Sequence, residues 1–332
     1  MALFKTVEEF KAFLGISLTK DFPRILPDIE WAEKKYIIPY LGNSQYEQLL
    51  NAYQNDTLTP DEENLLDKVR MPLAHFTFSK YIILNQVIVD NSGISIVSDS
   101  HRKTAFQWQV NDLKGSYFLT KAYDGLDFLL QFLEENKVKY PDWVSGEGYT
   151  LTNQFFINST AQFNTHVNID NSRLSFVALW QEIRRTETFL IAPILGDIFF
   201  SELKTKLVDN TLSAKELELI SFIQPCLAYY TVANGIITLP LGSRGSGFTV
   251  ENLLSEGSNI KEERVFNVDE VSRMSKQYLQ YANEYAGKLK KYLNATASAA
   301  VFKTYFDSAI YQSPSSSGSS SPNKKEYKGF IM

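Results

Sequence analysis

The stretch Ile37-Ile38-Pro39-Tyr40-Leu41-Gly42 returns later in the chain as Ile191-Ala192-Pro193-Ile194-Leu195-Gly196, an offset of 154 residues (191 minus 37). Reading outward at that offset without a gap, Ile29 falls on Ile183, Glu33 on Glu187 and Leu49 on Leu203. Thr57-Leu58 falls on Thr211-Leu212, Glu62 on Glu216, Leu65 on Leu219, Ala74 on Ala228 and Thr77 on Thr231. Ile82-Ile83 falls on Ile236-Ile237, and Ser92-Gly93 on Ser246-Gly247. Matches sustained over so many positions mark a tandem duplication.

The matched residues share physical roles. Thr59-Pro60-Asp61-Glu62 reads as a helix start: Thr59 caps, Pro60 takes the first helical position and Glu62 reaches back to the cap. Ser213-Ala214-Lys215-Glu216 repeats it with Ser213 as cap. Pro39 and Pro193 interrupt apolar helical patterns, and Gly42 and Gly196 suit a helix end or tight turn. A long apolar helix follows each cap, from about 60 to 86 and from about 214 to 237. Turn-rich stretches come next, Asp90-Asn91-Ser92-Gly93 and Gly242-Ser243-Arg244-Gly245-Ser246-Gly247, with alternation such as Ile94-Ser95-Ile96-Val97 that suits short strands. A final amphipathic helix is expected near 106–136 and 268–294. In the second, Tyr278, Tyr281, Tyr285, Leu289 and Tyr292 recur at three- and four-residue spacing.

The expected fold is therefore mainly α: two tandem copies of a helical-bundle unit, residues 1–144 and 173–311, each with a long loop or β-hairpin insertion. Residues 145–172 alternate polar and apolar side chains and read as an extended linker or arm, which would offer Phe155 and Phe156 to a neighbour. Residues 312–332 read as a serine-rich flexible tail. It closes on Tyr327, Phe330, Ile331 and Met332, apolar enough for a docking peptide.

Composition narrows the function. The 23 Phe and 18 Tyr suit large cores and protein interfaces. A net charge of −5 lacks the basic excess of a general nucleic-acid coat. The single cysteine, Cys226, excludes an internal disulfide and a cysteine zinc site. No basic segment leads into an apolar run at the start, and no run of some 18 apolar residues is evident, so neither a signal peptide nor a membrane span is expected. His75, His101 and His166 lack metal-ligand spacing, and His75 corresponds to Tyr229 in the other copy, which suggests packing. The 242–247 loop lacks the Gly-Lys-Ser/Thr of a phosphate loop. The expectation is a non-enzyme with no catalytic residues, cofactor or metal.

The opening of each unit, Asp28-Ile-Glu-Trp-Ala-Glu-Lys-Lys-Tyr-Ile-Ile-Pro-Tyr-Leu-Gly42 in the first, resembles an uncharacterised family of Bacteroidetes, their prophages and crAss-like phages. An Ala-Glu helix running into Ile-x-Pro-x-Leu-Gly and then a Tyr-x-x-Leu helix is also similar to the first helices of head–tail connector proteins of tailed phages. The resemblance covers about 60 residues of each copy. It implies a homo-oligomeric, dodecameric ring in the neck or tail of a virion, assembled in the host cytoplasm. Its partners would be the portal and neighbouring ring proteins, with double-stranded DNA passing through the channel and no membrane contact. The duplication departs from that class, whose members carry one unit. Subunit contacts are expected from loops and tail: 87–105 (Asn91, Ser92, Gly93), 145–172 (Phe155, Phe156), 238–260 (Arg244, Ser246, Gly247) and 313–332 (Tyr327, Phe330). The alternative is an intracellular protein-interaction scaffold that is no part of a virion.

Overall fold

The computed structural model describes residues 2–16, 22–84, 87–90, 93–96, 105–238, 241–244, 247–250 and 268–313. The first unit runs α1 (Val7–Ala12), α2 (Phe22–Ala32), a π-helical turn (Glu33–Ile37), α3 (Ile38–Leu41), α4 (Asn43–Gln54) and α5 (Pro60–Leu84). An antiparallel hairpin follows, β1 (Val87–Asp90) with β2 (Gly93–Ile96). Then come α6 (Gln107–Asp112), a π turn (Leu113–Leu119), α7 (Thr120–Glu135), α8 (Pro141–Val144) and α9 (Glu147–Asn153). The second unit runs α10 (Thr160–Asn164), α11 (Arg173–Thr186), a π turn (Glu187–Ile191), α12 (Ala192–Leu195), α13 (Asp197–Val208) and α14 (Ala214–Thr238). Hairpin β3 (Leu241–Arg244) with β4 (Gly247–Val250), α15 (Val268–Thr296) and α16 (Lys303–Phe306) complete it.

The duplication is structural. The π turns, α3 and α12, α5 and α14, and all four strands superimpose in sequence at the offset of 154. Each shared signal has a local cause. Thr59 N–H donates to Glu62 Oε2 at 2.8 Å and Thr59 Oγ1 accepts from Glu62 N–H at 3.3 Å; Ser213 and Glu216 make the same pair of bonds at 2.8 and 3.3 Å. Pro39 and Pro193 sit early in α3 and α12, directly after the π turns. A proline ring collides with the carbonyl four residues back, and the wider π turn makes room for it. Gly42 (φ +83°) and Gly196 (φ +79°) then reverse the chain in a conformation that L side chains rarely adopt.

α5 and α14 are the central helices. Leu65, Val69, Leu73, Ala74 and Phe76 of α5 pack among α2 and α7, and Leu219, Ile223, Leu227, Ala228 and Val232 of α14 among α11 and α15. By length and composition α14 could cross a membrane, which the sequence reading did not anticipate; 67% of its apolar window is buried inside the second unit, as in a core helix. Two cores result, joined where α7 meets α11. Leu174 of α11 belongs to the first core. Its N–H donates to Asp127 Oδ1 of α7 at 3.0 Å, so an acid from one unit meets the N-terminus of a helix in the other. Arg173, buried beside it, pairs with Glu134 at 3.2 Å.

Residues 145–172 differ from expectation. They fold as α9, α10 and turns rather than an extended arm, and from 155 onward they copy the start of the chain at an offset of 153 (159 minus 6). Thr6 Oγ1 accepts from Glu9 N–H at 3.2 Å, and Ser159 Oγ accepts from Gln162 N–H at 3.2 Å. Phe10 and Phe163 are fully buried, and Leu14 and Val167 nearly so. The alternation that suggested an extended arm comes from short helices and turns whose buried apolar residues enter the second core.

The two positive-φ glycines give a stability test. Gly42→Ala and Gly196→Ala are each expected to destabilise the chain by about 1–3 kcal/mol in urea unfolding. Gly196→Ala is expected to cost more, because its new Cβ would lie 3.3 Å from Ile310 Cδ1 while Gly42 has open space. Gly287→Ala, in the open on α15, is expected to stabilise by about 0.5–1 kcal/mol. Equal effects at all three sites would contradict this account.

Candidate assembly surface

The hairpins fall at equivalent sequence positions in both units, 154 residues apart (241 minus 87). Asp90 pairs with Gly93 and Arg244 with Gly247, so each turn spans two residues, 91–92 and 245–246. Each sheet has two strands, so every strand is an edge strand among the described residues, with β1 near α5 and β4 near α11. A lone two-stranded hairpin is marginally stable in water. Of the residues expected at this surface, Gly93, Arg244 and Gly247 lie at the hairpin ends. Asn91, Ser92, Ser246, Tyr327 and Phe330 lie outside the described residues.

Beyond the first hairpin, Phe106, Trp108, Leu113 and Tyr117 are exposed on α6 and its π turn. On α15 of the second unit, Leu279 and Tyr281 are exposed, beside a tyrosine cluster in which Tyr229 stacks on Tyr285 at 5.5 Å. Large apolar side chains grouped at a surface mark interaction sites more often than solitary ones do. The sequence reading missed the α6 group, although the adjacent Phe106 and Trp108 carried the signal.

Phe155 and Phe156 do not join this surface. Both are buried in the second core, because the backbone around them is captured by side chains. Phe156 N–H donates to Glu187 Oε1 at 2.7 Å, and its carbonyl accepts from Gln224 Nε2 at 2.9 Å. The first unit does the same at the chain start. Leu3 N–H donates to Glu33 Oε1 at 2.7 Å, and Leu3 O accepts from Arg70 Nε at 2.7 Å. Glu33 and Glu187, and likewise Arg70 and Gln224, are equivalent positions. Each pair satisfies both backbone polar groups of a docked residue without a sheet.

The clamps differ electrostatically. Glu33, 2% exposed, hydrogen-bonds Leu3 and the Tyr46 hydroxyl, and burial outweighs both in pushing its pKa up to about 7. At the second clamp Phe200 replaces Tyr46, and Lys204 replaces Leu50. Lys204 Nζ pairs with Glu187 at 2.6 Å and also donates to Gln154 O. Burial pushes Glu187 up and Lys204 down, and their mutual attraction opposes both shifts.

Other titratable groups serve packing. His75 Nδ1 lies 2.8 Å from Met71 O, and burial lowers its pKa; burial lowers that of His166 as well. Cys226 is buried, with its thiol pushed up to about 12. Among the described residues no group of three His, Cys, Asp or Glu side chains could hold a metal ion.

Comparison with known proteins adds one finding. A family profile described as "Family of unknown function (DUF6712)" matches twice, over residues 37–153 and 191–315, again starting 154 residues apart (191 minus 37). No curated protein and no solved structure matches the chain.

The Glu33 clamp predicts a pH dependence. Its folded-state pKa lies above the ordinary 4.5, so the protonated form is favoured by folding. That stability is whole below pH 4.5 and is lost as the pH rises through 7. Glu33→Gln keeps an oxygen for the Leu3 N–H and removes the titration. Between pH 5 and 8 the wild-type chain is expected to lose up to about 3 kcal/mol of unfolding free energy relative to Glu33→Gln. Parallel pH profiles in urea unfolding would refute it.

Proposed function

The chain belongs to this family of unknown function, and from that footing we propose that it is a structural subunit of a tailed-phage virion, forming a ring in the neck or tail. In this reading it connects portal and tail around the DNA channel, and its partners are copies of itself, the portal and adjoining ring proteins. The observation that carries the reading is the pair of hairpins at equivalent sequence positions in both units, each made of two edge strands. Edges of that kind find partners on neighbouring chains. The exposed Phe106, Trp108, Leu113 and Tyr117 supply apolar area at α6 and its π turn. The likeness of the Ile-x-Pro-x-Leu-Gly segment to connector proteins supplies the virion context.

A duplicated unit suits such a ring. A subunit with two similar halves can meet the next subunit through unlike surfaces, the head-to-tail arrangement that closes rings. Mild acidity suits a channel wall that does not hold DNA tightly.

Negative-stain microscopy of the chain at high concentration, alone and with the portal encoded by the same phage, tests this. Rings of defined symmetry are expected. A chain that stays monomeric and ignores portal would sink the proposal and favour an interaction scaffold outside the virion. Replacing both 87–96 and 241–250 by Gly-Ser linkers is expected to weaken ring formation at least tenfold while leaving helical circular dichroism unchanged.

A further inference from the structure

The second unit carries an apolar patch that the first lacks. Phe189, in the π turn, is 70% exposed, and Ile198, at the start of α13, is 77% exposed. Pro193 is also exposed, one helical turn after Phe189. Ile310 is 40% exposed, and its Cδ1 lies 3.3 Å from where a Cβ on Gly196 would be, so it borders the same turn. At the equivalent places the first unit has Lys35 and Ser44, and Lys35 Nζ rests 5.1 Å from the Trp31 ring centroid. One copy of a shared surface is polar; the other has become apolar. Asp197, exposed beside Ile198, replaces Asn43.

The chain itself supplies an occupant. Ile310 is three residues before Ser313 (313 minus 310), where the described structure stops. The following sequence is serine-rich and then reads Pro322-Asn-Lys-Lys-Glu-Tyr-Lys-Gly-Phe-Ile-Met332. From Ser313 to Tyr327 is 14 residues (327 minus 313). A serine-glycine chain of that length has a root-mean-square reach of about 20 Å and a limit of about 50 Å. The patch begins at the point of departure, so the tether holds the tail at high effective concentration there. Tyr327, Phe330, Ile331 and Met332 match the apolar surface, and Lys324, Lys325 and Lys328 match Asp197.

We propose that residues 322–332 dock on the Phe189, Pro193, Ile198 and Ile310 surface of the same chain, a site present in the second unit only. The proposal does not depend on ring formation.

Crosslinking in the full-length chain tests it. Ile198→Cys with Phe330→Cys, oxidised at sub-micromolar concentration, is expected to close an intramolecular disulfide at least tenfold faster than Ser44→Cys with Phe330→Cys. Both new cysteine positions on the units are exposed, and native Cys226 is buried with a poorly ionised thiol. Equal closure rates would overturn the proposal. A covalent dimer in place of the closed loop would also overturn it, because the tail would then seat on another copy. Tryptic cleavage at Lys324, Lys325 and Lys328 gives a second measure. Phe330→Asp and Ile198→Asp, with melting temperatures unchanged, are each expected to speed it at least fivefold; unchanged rates would again overturn the docking.

Discussion

A buried carboxylate meeting the backbone N–H of a segment far away in sequence is the constraint on which each unit rests. Leu3 and Phe156 cannot satisfy their backbone groups through helix or sheet, yet each lies inside a core. An unpaired peptide group there would cost about 1–3 kcal/mol. Glu33 and Glu187 remove that penalty on the N–H side, and Arg70 and Gln224 remove it on the carbonyl side. The apolar neighbours Phe4, Phe155 and Ile157 can then enter the cores. Because the clamp holds main chain, it fixes where the segment lies while leaving the side chains free to differ between copies.

Capped helices, proline interruptions and the glycine turns were legible in the sequence because their causes are local: a cap and its acceptor lie three residues apart, and a proline acts on its own turn. The hairpins were legible as turn-rich insertions at one offset. The second unit's true beginning was hidden. Ser159 replaces Thr6 and Gln162 replaces Glu9, chemically alike but not identical, and the offset shifts by one residue before α11. Phe155 and Phe156 looked like contacts for a partner because their burial depends on Glu187 and Gln224, dozens of residues later. One signal was available. A glutamate repeated at 33 and 187 amid core positions is a charge that must have a reason to be there.

Divergence since the duplication reaches both the clamps and the surface. The hydroxyl of Tyr46 and the ammonium of Lys204 serve the same buried carboxylate position with a neutral and a charged group, and burial raises the pKa of both carboxylates. The patch around Phe189 and Ile198 shows the same freedom at the surface. These are sites at which one unit can acquire a contact that its sister does not make.

The π turns have a geometric effect beyond accommodating proline. One extra residue rotates all that follows on a helix by about 100°. Ile25, Ile29, Ala32 and Tyr36 form one buried stripe; after the turn the buried positions are Ile37 and Leu41, one step out of phase. The wide turn takes up that extra residue, so burial continues past it one position later in sequence, at Ile37 and Leu41, instead of turning away from the core. The insertion is contained within one loop of the coil, and the core contacts on either side of it are spared its consequences.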